Sequence, residues 1–154
     1  MNLLRVRRLF AGERVARFGT TGPGDRPHIT PVPFAVIDDG DEGVVVCALD
    51  AVHIGEPQSI ASAARVRDVS AHPRVSLLVD GATDAGARWW VHADAVAEVL
   101  RYRTADPRFD MALAALDTRY RGSGQLVAGH TIVWCTVTAW TGWTAGMAMP
   151  ERAA

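Results

Sequence analysis

Alternating apolar and polar residues predict β-strands along most of the chain. The pattern is clearest over residues 88–100, where Trp89 and the alternate residues to Val99 form an apolar face and Trp90 lies on the other, mostly polar face. Strands are predicted over residues 14–20, 28–37, 43–49, 74–79, 88–100 and 130–140. Residues 43–49 are apolar throughout, which indicates a strand buried on both faces.

Two of these strands carry further detail. Pro31 and Pro33 lie two residues apart in the second strand and remove backbone donors from the same edge, so we expect this strand at a sheet edge or an interrupted position. In the last strand, strict alternation assigns Val133, Cys135, Val137 and Ala139 to one face, and Trp134, Thr136, Thr138 and Trp140 to the other.

Helices are predicted over residues 2–11, 59–69 and 106–120. Ser59 is the expected N-cap of the second helix, and Asp106 followed by Pro107 is a typical start for the third. The third helix has one apolar face, formed by Phe109, Leu113, Leu116 and Tyr120. Six strands with two to three helices, joined mostly by short hairpin connections, predict an α+β fold with an antiparallel sheet that could close into a barrel.

The chain has 154 residues, which fits a single domain spanning residues 1–154. A formal net charge of −1 gives no electrostatic basis for binding nucleic acid or an anionic membrane. No apolar run reaches the roughly 20 residues that a membrane helix needs, and the first residues lack the pattern of a signal peptide. We therefore expect a cytoplasmic protein that binds neither nucleic acid nor membranes.

Few residue patterns point to side-chain chemistry. Cys47 and Cys135 lie in apolar strands and are expected to be buried thiols, with a disulfide between the strands left open. The five histidines show no metal-ligand spacing, and no phosphate loop or nucleophile motif is present. All 16 basic residues are arginine, so no lysine is available as a nucleophile, and phosphate must be held by arginine, histidine or backbone N–H groups.

Five tryptophans are the most unusual feature of the composition. Trp89 belongs to the core face of its strand, whereas Trp90 lies on the opposite face and needs cover from a ligand ring or a second subunit. The same question arises for Trp134, Trp140 and Trp143. Several half-covered aromatic rings on a small barrel favour a homodimer.

Four segments together carry a resemblance to a known family. They are DRPHITPVPF over residues 25–34, HPRVSLLVD over residues 72–80, the pair Trp89–Trp90, and the closing sequence from Trp140 to Trp143. This pattern resembles the pyridoxamine 5'-phosphate oxidase-like, FMN-binding split β-barrel superfamily over almost the whole chain. It is most similar to the actinobacterial branch of coenzyme F-420-dependent enzymes.

The resemblance implies a six-stranded antiparallel split β-barrel that forms a homodimer, with two cofactor sites at the subunit interface. It implies hydride transfer between a flavin or deazaflavin ring and a small organic substrate, with little need for side-chain acids or bases. It places the ring against the second and third strands and the phosphate near the following helix. The cofactor-binding residues so implied are Thr30, Pro31, Val32, Ala48, Leu49, Asp50, His53, Ser59, Arg65, Arg67, Trp90 and His92.

The sequence departs from the family pattern at the phosphate anchor. The loop after Asp50 usually carries lysines and arginines, but here it has Glu56 and Gln58, and cations return only at Arg65 and Arg67. Each lost charge-assisted contact costs about 1.5–3 kcal/mol. Three functions therefore stay open: an F-420-dependent oxidoreductase, an FMN-dependent oxidase or reductase, and a barrel without a flavin-type cofactor that binds a small ligand or catalyses a non-redox biosynthetic step.

Overall fold

The structure is a computed structural model that describes residues 2–37, 43–49, 60–102, 105–122 and 131–145. The helices are α1 (Leu3–Gly12), α2 (Ile60–Ala71) and α3 (Pro107–Tyr120). The strands are β1 (Val15–Gly22), β2 (Arg26–Ile37), β3 (Val44–Ala48), β4 (Arg74–Ala82), β5 (Arg88–Arg101) and β6 (Thr131–Thr144). The predicted α+β fold with six strands and three helices is confirmed.

The six strands close into a barrel in the order β1-β2-β3-β6-β5-β4, and every neighbouring pair is antiparallel. The closure between β1 and β4 is short, since only residues 17–19 of β1 pair with β4. The strands diverge on either side of this contact. The barrel is therefore complete but opens into a cleft along the β1–β4 seam.

The prolines of β2 occupy an interrupted position, as predicted. Residues 26–33 of β2 pair with β1, whereas pairing with β3 begins only at Phe34 among the described residues. The Tyr120 hydroxyl bonds both the backbone N–H and the C=O of Phe34. The same hydroxyl bonds the carbonyl of Arg14, the residue just before β1. Because the backbone direction alternates along a strand, Pro31 and Pro33 turn their ring nitrogens toward the unpaired edge. No ladder hydrogen bond is lost there.

Two hydrophobic clusters stabilise the fold. The larger one fills the barrel, and helix α1 packs its Phe10 against one end of it, with ring centroids 4.9 Å from Phe34 and 5.1 Å from Trp140. The second cluster lies outside β3, where α3 covers the outer side of the sheet with Phe109, Leu116 and neighbouring residues. The strand β3 is thus buried on both faces, as its uniform apolar sequence predicts.

Two predictions about strand β6 need correction. The strand continues to Thr144, and Thr138 forms a bulge: Ala95 of β5 pairs with Val137, whereas the preceding Asp94 pairs with Ala139. The extra residue inverts the alternation, so Trp140 turns into the barrel instead of facing outward. Strand β4 likewise extends to Ala82, so Asp80 lies in the strand and not in the following loop.

The remaining tryptophans differ in what covers them. Trp89 lies in the barrel core, where its ring packs on Gly81; a Cβ atom at that glycine would lie 2.6 Å from the ring. Trp134 faces outward as predicted, but α3 of the same chain buries it, so it needs neither a ligand nor a second subunit for cover. Only Trp90 and Trp143 remain partly exposed.

Both cysteines are free and buried inside the barrel. A hydrogen bond with Cys135, together with burial, raises the pKa of Cys47 well above its ordinary value. No three histidine, cysteine, aspartate or glutamate side chains within the described ranges are grouped to hold a metal ion. None of the described helices has both the length and the apolar character needed to cross a bilayer.

Candidate functional site

One outer side of the barrel carries a concentration of partly exposed aromatic and apolar residues, which we call the open face. It is formed by the outward residues of β1, β4, β5 and the second half of β6. Val15, Val96 and Trp143 are 52%, 46% and 36% exposed on it, and Ile29 of the adjoining β2 is 72% exposed. Exposed apolar side chains that are grouped on one face, unlike single scattered ones, are typical of an interface or a ligand site.

Trp90 and His92 lie at the centre of the open face. Cross-strand pairing places Leu78, His92 and Thr141 side by side on β4, β5 and β6. These three residues and Trp90 line a shallow depression of about 370 Å³. Trp143 pairs with Trp90 at one end, so a flat ligand ring would meet aromatic and apolar surface there.

A short polar line runs from this depression toward the β1–β4 seam. Nε2 of His92 lies 3.6 Å from Oδ1 of Asp94, and the Ser76 hydroxyl donates to the same oxygen at 3.3 Å. The side chains of His92 and Asp94 are 29% and 50% exposed. Asp94 and Ser76 in turn line a second and larger groove of about 700 Å³ at the seam.

The residues implied for the cofactor ring on β2 and β3 lie together at one end of those strands. Thr30 is half-buried and Pro31 exposed at the unpaired edge of β2, and Leu49 follows the end of β3. The side chains of Val32 and Ala48 are 3% and 2% exposed in the two cores, so only their backbone could contact a ligand. The open backbone edge is the accessible feature of this set.

A single chain does not bring this set together with Trp90 and His92. Pro31 pairs with Arg17, Arg17 with Leu78, and Leu78 with His92. Three strand spacings of ~4.8 Å therefore separate Pro31 from His92, or roughly 14 Å around the curved outer surface. A ring on β2 would have to contact a second copy's open face to use both sets.

The implied phosphate residues are only partly described. Asp50, His53 and Ser59 lie outside the described residues. Arg67 is exposed on α2, whereas Arg65 is 8% exposed and its Nε lies 3.5 Å from Oδ2 of Asp68, with no hydrogen-bond partner in the described structure. Arg65 therefore lies beside an anion already, while the charge of Arg67 is exposed to solvent.

Sequence reasoning did not single out the most connected polar group, which is Asp68. This side chain is 4% exposed, and its Oδ2 accepts from the Thr20 hydroxyl at 2.9 Å and lies 2.8 Å from Nδ1 of His28. Burial alone would raise the pKa of Asp68, but the hydrogen bonds from His28 and Thr20 and the charge of Arg65 outweigh burial, so the pKa lies below its usual value. An ionised carboxylate only accepts hydrogen bonds, so Nδ1 of His28 carries a proton.

The closed six-stranded antiparallel barrel, with its accessible strand edge and aromatic open face, is a split β-barrel. The chain matches the family described as pyridoxamine 5'-phosphate oxidase over residues 5–144, and it belongs to that family. No curated protein matches the sequence.

Solved structures show the same fold at low sequence identity. An FAD-binding protein from Mesorhizobium loti has 19% identity and a TM-score of 0.65, with 96% of each chain covered. The FAD-binding protein from Mycobacterium smegmatis has 19% identity and a TM-score of 0.59, covering 94% of this chain and 95% of that one. A heme-binding protein from Mycobacterium smegmatis has 18% identity and a TM-score of 0.65, covering 96% of this chain and 55% of that one.

Proposed function

We propose that the protein is a cytoplasmic homodimeric oxidoreductase that binds coenzyme F-420 at the subunit interface and transfers hydride to or from a small organic substrate. The observation that carries this proposal is the separation of the two ring-binding sets. The β2 edge at Thr30–Val32 and the depression at Trp90 and His92 lie on different parts of one barrel. A partner barrel would bring its open face onto the β2 edge and complete the site.

The described residues fit the ring of such a cofactor better than its phosphate. The β2 edge offers backbone groups for the polar rim of a ring, and Trp90 with Leu78 offers apolar surface for its face. The deazaflavin supplies hydride chemistry at the ring, so the protein's task is to hold the ring and exclude water. For the phosphate we propose Arg67 as the main contact, because Arg65 is buried beside Asp68. We propose that His53, Ser59 and residues 48–50 at the end of β3 form the rest of the site.

The first test is a titration of the purified protein with F-420 and, separately, with FMN, followed by tryptophan fluorescence. We expect saturable quenching by F-420 at micromolar concentrations, on the order of −8 kcal/mol of binding free energy. Arg67→Gln should weaken binding about tenfold, because a charge-assisted phosphate contact is lost. The matched control, Arg8→Gln on the exposed side of α1, should bind like the wild type.

The dimer is tested with Val15→Glu, which places a charge on an exposed part of the open face outside the seam groove. Sedimentation should show a dimer for the wild type and a monomer for this variant, and the monomer should lose F-420 binding. A wild-type monomer that still binds F-420 with full affinity would contradict the interface site. Absence of quenching by either cofactor up to about a millimolar would rule out both the F-420 and the FMN functions.

The third function keeps one specific observation in its favour. Arg65 is one of two cations on α2, and it lies beside Asp68 instead of facing solvent. A barrel with so weak a phosphate anchor could bind a small ligand, heme included, without flavin chemistry. Adding heme to the protein and recording the absorbance spectrum tests this case. Binding should shift the absorbance of the heme, and added F-420 should not displace the bound heme.

A further inference from the structure

We propose that the groove at the β1–β4 seam binds a small organic acid and that His28 exchanges a proton with it. The groove has a volume of about 700 Å³, enough for a molecule the size of a substituted aromatic acid. It lies on the opposite side of Asp94 from the depression at His92, so the two cavities adjoin along the open face. The binding step is independent of any cofactor, whereas the proton transfer rests on the proposed function.

The imidazole of His28 is held in one orientation from two sides. Its Nδ1 bonds the buried carboxylate of Asp68 at 2.8 Å, so Nε2 is the nitrogen left for a ligand. On the other side the ring packs directly on Gly22, where a Cβ atom would lie 2.2 Å from Cε1. The His28 side chain remains 33% exposed and lines the groove. A histidine fixed by a buried carboxylate and open to a cavity has the arrangement of a proton-transfer residue.

The groove lining also favours an anion with an apolar body. Arg74 and Asp94 are its charged residues. None of the ion pairs between described residues involves Arg74, whereas Asp94 already has Ser76 and His92 within reach. Ile29 and Val96, which are 72% and 46% exposed, provide apolar surface in the same groove. An organic acid can place its carboxylate on Arg74 and its hydrocarbon part on Ile29 and Val96, so it uses both the positive charge and the apolar surface of the groove.

The proposed step balances in protons and electrons. With the reduced deazaflavin of the proposed function bound, a hydride would pass to one carbon of an activated double bond in the organic acid and leave the deazaflavin oxidised. The imidazolium of His28 gives its Nε2 proton to the neighbouring atom, and the neutral imidazole recovers a proton from solvent. Asp68 stabilises the imidazolium, and Arg65 on the same helix face is the other charged group near this carboxylate. Asp68 is therefore a positioning residue.

Binding is tested on the full chain without cofactor, using benzoate as the probe and benzyl alcohol as its neutral counterpart. We expect benzoate to shift the ring NMR signals of His28 in a saturable way, and benzyl alcohol to bind more weakly. Arg74→Gln should weaken benzoate at least about fivefold through loss of a charge-assisted contact, and Arg8→Gln should not. No shift up to about a tenth molar benzoate would overturn the proposal. A His28 signal that instead follows protein concentration would mean that a second copy fills the groove, and this also overturns it.

Proton transfer is tested with His28→Gln, whose amide can still donate to Asp68. We expect the rate at which reduced F-420 reduces cinnamate, an aromatic acid with an activated double bond, to fall about 100-fold, with F-420 binding unchanged by fluorescence. Asp68→Asn should slow the same reaction while leaving the binding of F-420 and of benzoate unchanged, a split that a purely structural role would not produce. Turnover at the wild-type rate in His28→Gln contradicts the proton transfer. Failure of F-420 to bind contradicts the proposed function and this step, but leaves the benzoate result standing.

Discussion

The hydroxyl of Tyr120 closes a hydrogen-bonded ring with the backbone of Phe34. It accepts from the Phe34 N–H at 2.9 Å, and its single proton is shared between the carbonyl of Phe34, also at 2.9 Å, and the carbonyl of Arg14. One side chain from α3 thus substitutes for the missing strand partner where β1 begins and β2 changes partners. Helix α3 fixes the point at which the β2 edge becomes accessible.

Tyr120→Phe is expected to destabilise the protein by about 1–3 kcal/mol. The substitution keeps the ring but leaves buried backbone groups of Phe34 without a partner, and that loss of hydrogen bonding is costly. Urea unfolding measures the difference. Met111→Leu on the same helix, where the side chain is 51% exposed, should change stability by less than about 0.5 kcal/mol. Equal effects of the two variants would contradict this account of Tyr120.

Phe10→Ala is expected to cost about 3–5 kcal/mol, because it empties the end of the barrel that α1 closes. The Phe10 side chain is fully buried against Phe34 and Trp140. Leu4→Ala on the same helix is the control, since Leu4 is 76% exposed. Thermal unfolding of the two variants should differ by several degrees, and similar melting temperatures would show that α1 does not close the barrel.

Gly81→Ala is expected to destabilise the fold by about 1–3 kcal/mol through overpacking. The added methyl group would lie 2.6 Å from the rigid Trp89 ring, so the ring or the strand must move. Gly12→Ala is the matched control, because a Cβ atom there meets nothing within 4 Å. Denaturant unfolding should give a lower midpoint for the first variant only. A larger loss for Gly12→Ala would contradict the packing.

Acid should remove the stability that Asp68 provides. Its pKa is lowered in the folded state, so its contribution is complete above the unfolded value of about 4 and is lost as the pH falls through the lower folded value. The stability difference between wild type and Asp68→Asn should therefore shrink as the pH falls below about 4. Urea unfolding at several pH values measures it.

The comparison must be made as a difference between the two proteins. Hydrogen bonds from Arg108 lower the pKa of Glu98 and of Asp106 as well, so wild-type stability falls in the same acid range for other reasons. These carboxylates are present in both proteins and cancel in the difference. A difference that does not shrink below about pH 4 would contradict the assignment of Asp68.

Local sequence signals predicted most of the fold. The alternation over residues 88–100 gave the correct faces of β5, and Asp106 caps α3 by accepting from the backbone of Arg108 at 2.9 Å. Strict alternation was wrong for Trp140, because nothing in the residue types marks the bulge at Thr138. A single inserted residue in a strand is set by pairing with the neighbouring strand and is invisible to a periodicity of two.

The candidate site was less predictable for the same reason. His28 and Asp68 are 40 positions apart and meet only because α2 packs on the end of β1 and β2. Arg65 and Arg67 look equivalent in the sequence, yet one is buried beside Asp68 and the other is exposed. Such differences arise from the rotation of a helix whose apolar pattern is weak, so periodicity could not assign them.

The bulge in β6 also gives this protein one point in its sheet where chain length can change. Before Thr138 the strand turns Val133 and Val137 inward, and after it the inward residues are Trp140 and Gly142. Deleting Thr138 would join Val137 directly to Ala139 and leave the pairs of both residues with β5 in place, so Trp140 would stay in the barrel. A one-residue deletion in the regularly paired first half of β6 has no extra residue to remove and would turn core side chains to the outer face.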